Sequence, residues 1–468
     1  MAIAIVLIVL ALGSVVFYFL SPWGLTPLAS NWGAIDATID ITFVVTGAVF
    51  VAINVFMAYA ILCYRFKRQR RSHYEPENKK LEAWLTGLTT LGIVALLAPG
   101  LFVWGNYVNV PDDAHEVEVI GQQWHWSYRL PGDDGRFGDV RTHLIDESNP
   151  FGLDPDDPAG QDDVLIDSSH VKLPIDRPVK LMLRSTDVIH NFKVAQFRAK
   201  MDVMPGQVSY MWLTPTKTGD FEAVCAELCG MAHFAMRGRV EVVEQGEFDD
   251  WVAQQPTFGE LQDVGEGDPE AGAELYARCV ACHGPQGGGR QEMNAPRLAG
   301  LDDDYIERQL RNFRQGARGE HEADRFGQQM RPFAMTLEDR EMNADVAAHI
   351  ETFPVEPTRP TIIGDAERGE RFYRSCASCH GADGEGRRAL KAPRLAGMND
   401  WYLVRQLQHF KDGVRGRHPD DWYGNQMVDM AQILVDDAAL RDVVAYIGTL
   451  SGGESSPQQD SEQARAEE

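Results

Sequence analysis

The sequence predicts a multidomain membrane protein: a transmembrane helical hairpin behind a further apolar segment, then a β-sandwich, then two all-α domains. Three observations predict it. Three long apolar runs fall within the first 108 of 468 residues, residues 113–245 alternate in short segments, and the remainder repeats itself at an offset of 97. That length suffices for about three domains with cores of their own. The 44% apolar fraction excludes a chain disordered throughout. A formal charge of −25 argues against any phosphate-backbone binder, so no nucleic-acid partner is expected. It suits a surface that steers a basic partner.

Residues 41–64 (ITFVVTGAVFVAINVFMAYAILCY) are uncharged and long enough to span a bilayer. Residues 83–107 form a second such run, with Pro99 and Gly100 near its outer end. Between them lie Arg65, Lys67, Arg68, Arg70, Arg71, Lys79 and Lys80. No Lys or Arg precedes Arg65, and none lies between Lys80 and Arg129. This asymmetry places residues 65–80 in the cytoplasm and everything after about residue 108 outside. The expectation is a multi-pass protein of a bacterial inner membrane, with a hairpin over residues 36–108 and its C-terminal domains in the periplasm. Residues 1–24 are read as a further transmembrane helix, because the positive n-region of a signal peptide is missing. A signal-like segment cut near Pro27-Leu28-Ala29-Ser30 is the alternative. Cys63, inside an apolar run, is read as a membrane-facing or packed thiol without function.

From residue 109 to 254 short alternating segments such as 115–120, 179–183 and 208–213 are separated by turns such as Met204-Pro205-Gly206. Many short strands with this punctuation give a sandwich. Its end carries Cys225-Ala-Glu227-Leu-Cys229-Gly-Met-Ala-His233-Phe-Ala-Met236. Thiolate, imidazole and thioether together are the set copper prefers. One thiolate serves a mononuclear copper; two can bridge a pair. Each copper then needs a His, and only His233 lies in the segment, so an upstream His must join it. His190 in Asp187-Val-Ile-His190 is the candidate. A structural zinc site is the alternative, but it leaves Met236 unexplained.

The motif resembles the dinuclear CuA motif of the cytochrome c oxidase subunit II family, and the resemblance spans about residues 30–245, hairpin included. It implies a cupredoxin-like sandwich in which Cys225 and Cys229 bridge two coppers. His190, His233 and Met236 are then terminal ligands, and Glu227 gives its backbone carbonyl to copper. The resemblance also implies a magnesium ion on the Glu227 carboxylate, at the interface with oxidase subunit I. Gln123-Trp124-His125-Trp126 resembles the family's aromatic segment, with His where Tyr is usual; Trp124 is then the point where electrons enter, and a plain core aromatic is its alternative. Glu82 resembles a carboxylate at the mouth of a proton-uptake channel, although a solvated helix-start carboxylate reads equally well.

The remainder is a tandem repeat. Cys279-Val-Ala-Cys282-His283 matches Cys376-Ala-Ser-Cys379-His380, and Tyr305, Gln309 and Arg318 match Tyr402, Gln406 and Arg415, all without a net insertion. Cys-x-x-Cys-His is the c-type haem attachment pattern. His283 and His380 are therefore expected as proximal ligands of two covalent haems. Distal methionine raises the haem potential. Met330 and Met427 are 97 apart and each stands nine residues before an Asp, so they are the expected distal ligands, whereas Met335 and Met430 break register and are read as pocket packing. Redox-active thiols are the alternative for the Cys pairs. The resemblance is to class I and di-haem cytochromes c, giving domains at 263–354 and 360–452 with last helices over 339–352 and 436–450. Residues 255–266 and the proline-rich 353–360 are read as linkers, and 453–468 as a disordered tail.

These readings imply the electron-delivery subunit of a terminal haem-copper oxidase (a proton-translocating cytochrome-c oxidase), its oxygen site on another chain. Electrons would pass from a donor through two haems and the copper pair to subunit I. Subunit III is an expected neighbour, and a soluble cytochrome c or a quinol–cytochrome c reductase the expected donor. A nitric-oxide reductase copper subunit and a stand-alone membrane-anchored electron-transfer protein are the rivals.

Overall fold

The computed structural model describes residues 1–22, 24–66, 76–145, 149–264, 267–418 and 420–451. Lys67, Arg68, Arg70 and Arg71 of the basic loop lie outside these residues, as does the 453–468 tail.

Three helices, α1 (Ala2–Leu20), α2 (Gly33–Cys63) and α3 (Lys79–Val108), are each long and apolar enough to cross a membrane. At about 1.5 Å per residue, each of α2 and α3 spans roughly 45 Å, well over a hydrocarbon core. Their apolar side chains face outward: α3 buries none, and Leu88 and Leu101 are exposed. A bilayer would cover such surface at no cost in unpaired backbone, since helices satisfy their own hydrogen bonds. Pro99 sits within α3 without ending it. Asn78 caps α3, accepting from the Leu81 N–H at 3.1 Å.

The hairpin is bolted to the sandwich where it leaves the membrane. Arg198 pairs with Asp36 at 2.6 Å, Trp32 donates to the Trp212 carbonyl at 2.9 Å, and the Trp212 indole donates to Asn106 at 3.2 Å. Ala29, in the candidate cleavage segment, is buried and bonded on both sides, to Gln196 and Thr216.

The sandwich holds β1 (His115–Gln122), β2 (His125–Leu130), β3 (Val164–Ile166), β4 (His170–Pro174), β5 (Val179–Ser185), β6 (His190–Val194), β7 (Ala199–Val203), β8 (Ser209–Leu213), β9 (Gly219–Cys225) and β10 (Arg237–Val243). One sheet runs β3-β2-β1-β5-β8 and the other β4-β10-β9-β6-β7. β1 pairs in parallel with β5, and β10 with β4; the other ladders are antiparallel. Alternation decides which side chains fill the space between the sheets: in β5 Val179, Leu181 and Leu183 point in and are buried, while Lys180, Met182 and Arg184 between them are not fully buried. Trp126, Tyr128 and Phe192 stack edge-to-face in the centre.

After α4 (Gln245–Val252), the expected linker is not one. Residues 258–264 form α5 (Phe258–Val264), which packs on the sandwich. Phe258 buries against Ile120, Phe151 and Leu165, and Pro256, Phe258 and Gly259 bond to Leu165, Asp163 and Gln161. One large aromatic gives this polar stretch enough apolar surface to hold it down. The 353–360 bridge is irregular as expected.

The first repeat folds as α6 (Pro269–Tyr276), α7 (Val280–His283), α8 (Asp303–Gln315), α9 (Arg325–Ala334) and α10 (Arg340–Glu351). The second folds as α11 (Ala366–His380), α12 (Asp400–Lys411), α13 (Trp422–Ala431) and α14 (Asp437–Ile447). Asp339 and Asp436 cap the last helices by accepting from Met342 and Ala439. First and last helices cross closely in both repeats. A Cβ on Gly272 would lie 1.9 Å from the Asp345 carbonyl, and one on Gly369 2.0 Å from that of Asp442.

Candidate metal and haem sites

The predicted copper donors converge. Strand β6 begins at His190, β9 ends at Cys225, and the loop to β10 carries Glu227, Cys229, His233 and Met236. Cys225 Sγ lies 3.6 Å from Cys229 Sγ, 3.9 Å from His190 Nδ1 and 3.1 Å from the Glu227 carbonyl. Cys229 Sγ lies 3.5 Å from His233 Nδ1 and 3.7 Å from Met236 Sδ. The chain closes this loop on itself through the Cys225 N–H, which donates to the Met236 carbonyl at 3.1 Å. His190 Nε2 is held by Asp187 at 2.8 Å, which leaves Nδ1 facing Cys225. The hydrogen bond shared with Cys229, with help from His190, pulls the Cys225 pKa down to about 3; the same shared hydrogen bond, and then burial, push Cys229 up. Two sulfurs, two ring nitrogens, a thioether and a carbonyl within this span fit a soft-metal pair better than tetrahedral zinc. Glu227 is exposed.

Trp124 is buried, and its indole donates to the Cys229 carbonyl at 3.1 Å. Gly230 takes φ +121°, and a Cβ there would touch the Trp124 ring at 3.0 Å, so glycine permits this approach. Glu82 is exposed in the first turn of α3.

In the haem domains a single cavity of about 530 Å³ spans both repeats. Cys279, Cys282, His283 and Met330 line one half, and Cys376, Cys379, His380 and Met427 the other. His283 Nδ1 donates to the Pro296 carbonyl at 2.7 Å and His380 Nδ1 to that of Pro393 at 2.8 Å, so both rings offer Nε2 to the cavity. Burial pushes the Cys279 thiol up to about 11 and Cys376 to about 12. Neutral thiols in an apolar wall suit thioether attachment and oppose the redox-thiol reading. Met430 lines the cavity as expected, but Met335 does not: at the C-cap of α9 it is 58% exposed, turned outward by the helix.

The repeats meet across a pseudo-two-fold axis. Arg318 donates to Gln309, Tyr402 and Gln406, and Arg415 to Gln406, Tyr305 and Gln309. Sequence reasoning found these residues as repeat mates and missed that they bond one another. It also missed how the second repeat sits on the sandwich. Gln426 donates to the Trp124 carbonyl at 2.8 Å, Tyr423 to Asp167 at 2.9 Å and Gln122 to Ala389 at 3.2 Å. His125, the departure from the usual Tyr, stacks edge-on against Tyr423 at 5.6 Å; that departure was the one available signal.

A membrane hairpin, a sandwich with a cysteine-rich donor cluster and two haem-type helical domains define a membrane-anchored electron-transfer protein. The cytochrome c oxidase subunit II periplasmic-domain family matches residues 115–243, and the cytochrome c family matches 269–354 and 366–451. The alternative cytochrome c oxidase subunit 2 of Bradyrhizobium diazoefficiens is 53% identical over 56% of this chain and 94% of its own length. Cytochrome c4 of Thiocapsa roseopersicina is 35% identical over 40% of this chain and 94% of its own. Among solved structures, the periplasmic domain of cytochrome oxidase subunit II of Bradyrhizobium japonicum is 30% identical, covering 31% of this chain and 95% of that one at a TM-score of 0.23. The chain belongs to the cytochrome c oxidase subunit II family, extended by two cytochrome c domains.

Proposed function

We propose that this chain is the electron-delivery subunit of a terminal haem-copper oxidase in a bacterial inner membrane, with its sandwich and haem domains in the periplasm. The observation that carries the reading is the convergence of all six predicted copper donors beside a sandwich on which a haem-type domain is already seated. Cys225, Cys229, His190, His233, Met236 and the Glu227 carbonyl would hold a copper pair. Cys279, Cys282, His283 and Met330 would hold one haem c, and Cys376, Cys379, His380 and Met427 the other. Bound, these groups supply one-electron chemistry, carrying electrons from the donor through both haems and the copper pair to the oxygen-reducing subunit I.

The chain's own residues set the conditions for that role. Asp187 fixes the His190 ring, and the Pro296 and Pro393 carbonyls fix His283 and His380. Burial of His190, His283 and His380 keeps water from their rings. Trp124, bonded to the Cys229 backbone, joins the copper loop to the surface where Gln426 sits. The exposed Glu227 carboxylate is free to meet magnesium at the boundary with subunit I, and Glu82 to meet water at the cytoplasmic end of α3. A pinned Ala29 supports an uncleaved α1. Subunit III is a further expected neighbour.

Purification of the membrane complex tests the reading. Oxygen consumption with copper and two haem c signals on this chain is expected. Turnover of nitric oxide without oxygen consumption favours the reductase, and a chain purified without a second subunit leaves only the stand-alone role.

A further inference from the structure

The face by which the second haem domain grips the sandwich exists twice. Leu390 and Met430 pack against the sandwich core, Tyr423 bonds Asp167, and Gln426 bonds Trp124. Their mates at an offset of 97 are Met293, Phe333, Phe326 and Gln329 of the first haem domain. There the same face is open apart from one flank, where Arg405 lies over the Phe326 ring at 4.7 Å: Met293 is 49% exposed, Phe333 45% and Phe326 37%, and Gln329 is exposed as well. All four line the mouth of the haem cavity. Apolar and aromatic side chains left uncovered beside a buried redox pocket mark an interaction surface.

The flanks differ in charge. Glu292, Glu320 and Glu338 are exposed around this face in the first domain, where the second has Ala389, Arg417 and Val435. Over the matched spans the first domain has 15 acidic and 10 basic residues and the second 12 of each. Arg325 and Arg331 share α9 with the face, and Arg331 lies 3.8 Å from Glu320. A seat inside one chain needs no steering; a port for a diffusing carrier does.

We propose that the Met293–Phe326–Gln329–Phe333 face of the first haem domain is the docking port for an external basic electron-carrier protein, used as the second domain uses its copy on the copper domain. The order of the haems follows: the first receives and the second delivers, and the attachment residue Cys379 itself packs against the sandwich core. This rests on the electron-delivery reading above.

The test uses the purified complex with the full haem-loaded chain, and a basic mitochondrial-type cytochrome c as probe. Haem and copper spectra are recorded first; their absence would sink the electron-delivery reading itself. With spectra intact, Phe333→Ala is expected to weaken the probe's Kd roughly tenfold, whereas Val435→Ala, at an exposed position of the second domain outside the cavity, leaves that Kd unchanged. Glu320→Lys with Glu338→Lys is expected to slow association several-fold and flatten its salt dependence. Carbodiimide cross-links to the probe should map to carboxylates of residues 269–354. Wild-type affinity in Phe333→Ala, weakened affinity in Val435→Ala alone, or cross-links confined to residues 366–451 or the sandwich would each overturn the port while leaving the electron-delivery reading standing.

Discussion

The copper end of the sandwich and the haem cavity are both built around cysteine and histidine, yet the chain holds them in opposite ways. In the sandwich the ladders do the work: His190 is paired with Val203 across β6–β7, and Phe192 with Cys225 across β6–β9. The candidate ligand atoms of His190, Cys225 and Cys229 stand within 4.8 Å of one another, the first two placed by the ladders and Cys229 by a loop closed through the Cys225–Met236 backbone hydrogen bond, with Asp187 fixing the His190 ring. In the haem domains the centre is a cavity of about 530 Å³, and the helices line it rather than fill it. The cavity opens to solvent at its mouth, so without a prosthetic group its apolar walls would be wetted rather than packed. The sandwich would thus meet a metal preformed, whereas the haem domains would use their prosthetic groups as core.

The largest effect that would break this contrast comes from removing a haem. Replacing Cys279 and Cys282 by Ala should abolish cooperative unfolding of residues 269–354 and expose them to limited proteolysis, while the sandwich stays resistant. Survival of a compact first domain, seen as unchanged proteolysis, would mean that its helices can collapse into the void. Next in size is the buried network between the repeats. Arg318→Ala leaves Tyr402 without its donor and takes one of two arginine donors from Gln309 and Gln406, and Arg415→Ala does the same to Tyr305 and the two glutamines, so each should cost about 2–3 kcal/mol in denaturant unfolding. Because the axis makes the two arginines equivalent, their losses should agree within about 1 kcal/mol; a larger gap would show that the seat on the sandwich holds one side alone.

What could be read beforehand follows the same division. Local signals carried far: the last helix of each repeat, the sandwich alternation and the short 225–236 segment whose donor atoms the fold brings together were all legible. His190 was within reach only because each copper needs an imidazole. The seat was not legible, since Tyr423–Asp167 and Gln426–Trp124 join residues 256 and 302 positions apart. Neither was α5, where a single Phe258 outweighs a polar composition. Met335 was misplaced because a methionine near a haem motif carries no sign of which side of its helix it takes.

A smaller test concerns His125, which joins the two regions. Burial lowers its pKa to about 4, Asp167 opposing and Lys391 reinforcing the shift. The folded value lies below the ordinary 6.5, so the neutral ring's contribution is fully present above pH 6.5. It is lost as the pH falls from 6.5 towards 4, by on the order of 2 kcal/mol. His125→Phe should flatten that part of the stability–pH curve; an unchanged slope would place the acid sensitivity elsewhere.

The smallest expected effect is the sharpest test of preformation. If the ladders alone hold the copper donors, chelating the metal should leave strand content and the edge-to-face packing of Trp126 on Phe192 untouched. The thiols need not separate in the metal-free state, because one sulfur can share its proton with the other across 3.6 Å. Cys225→Ser removes one of those sulfurs while keeping a small polar group at the end of β9. It should therefore erase the copper's optical and paramagnetic signals but shift the unfolding free energy of the copper-free sandwich by only about 1 kcal/mol. Calorimetry of the chelated protein decides the point: a sandwich that melts with its copper, as the first domain should with its haem, would mean that the metal and not the ladders brings Cys225 and Cys229 together.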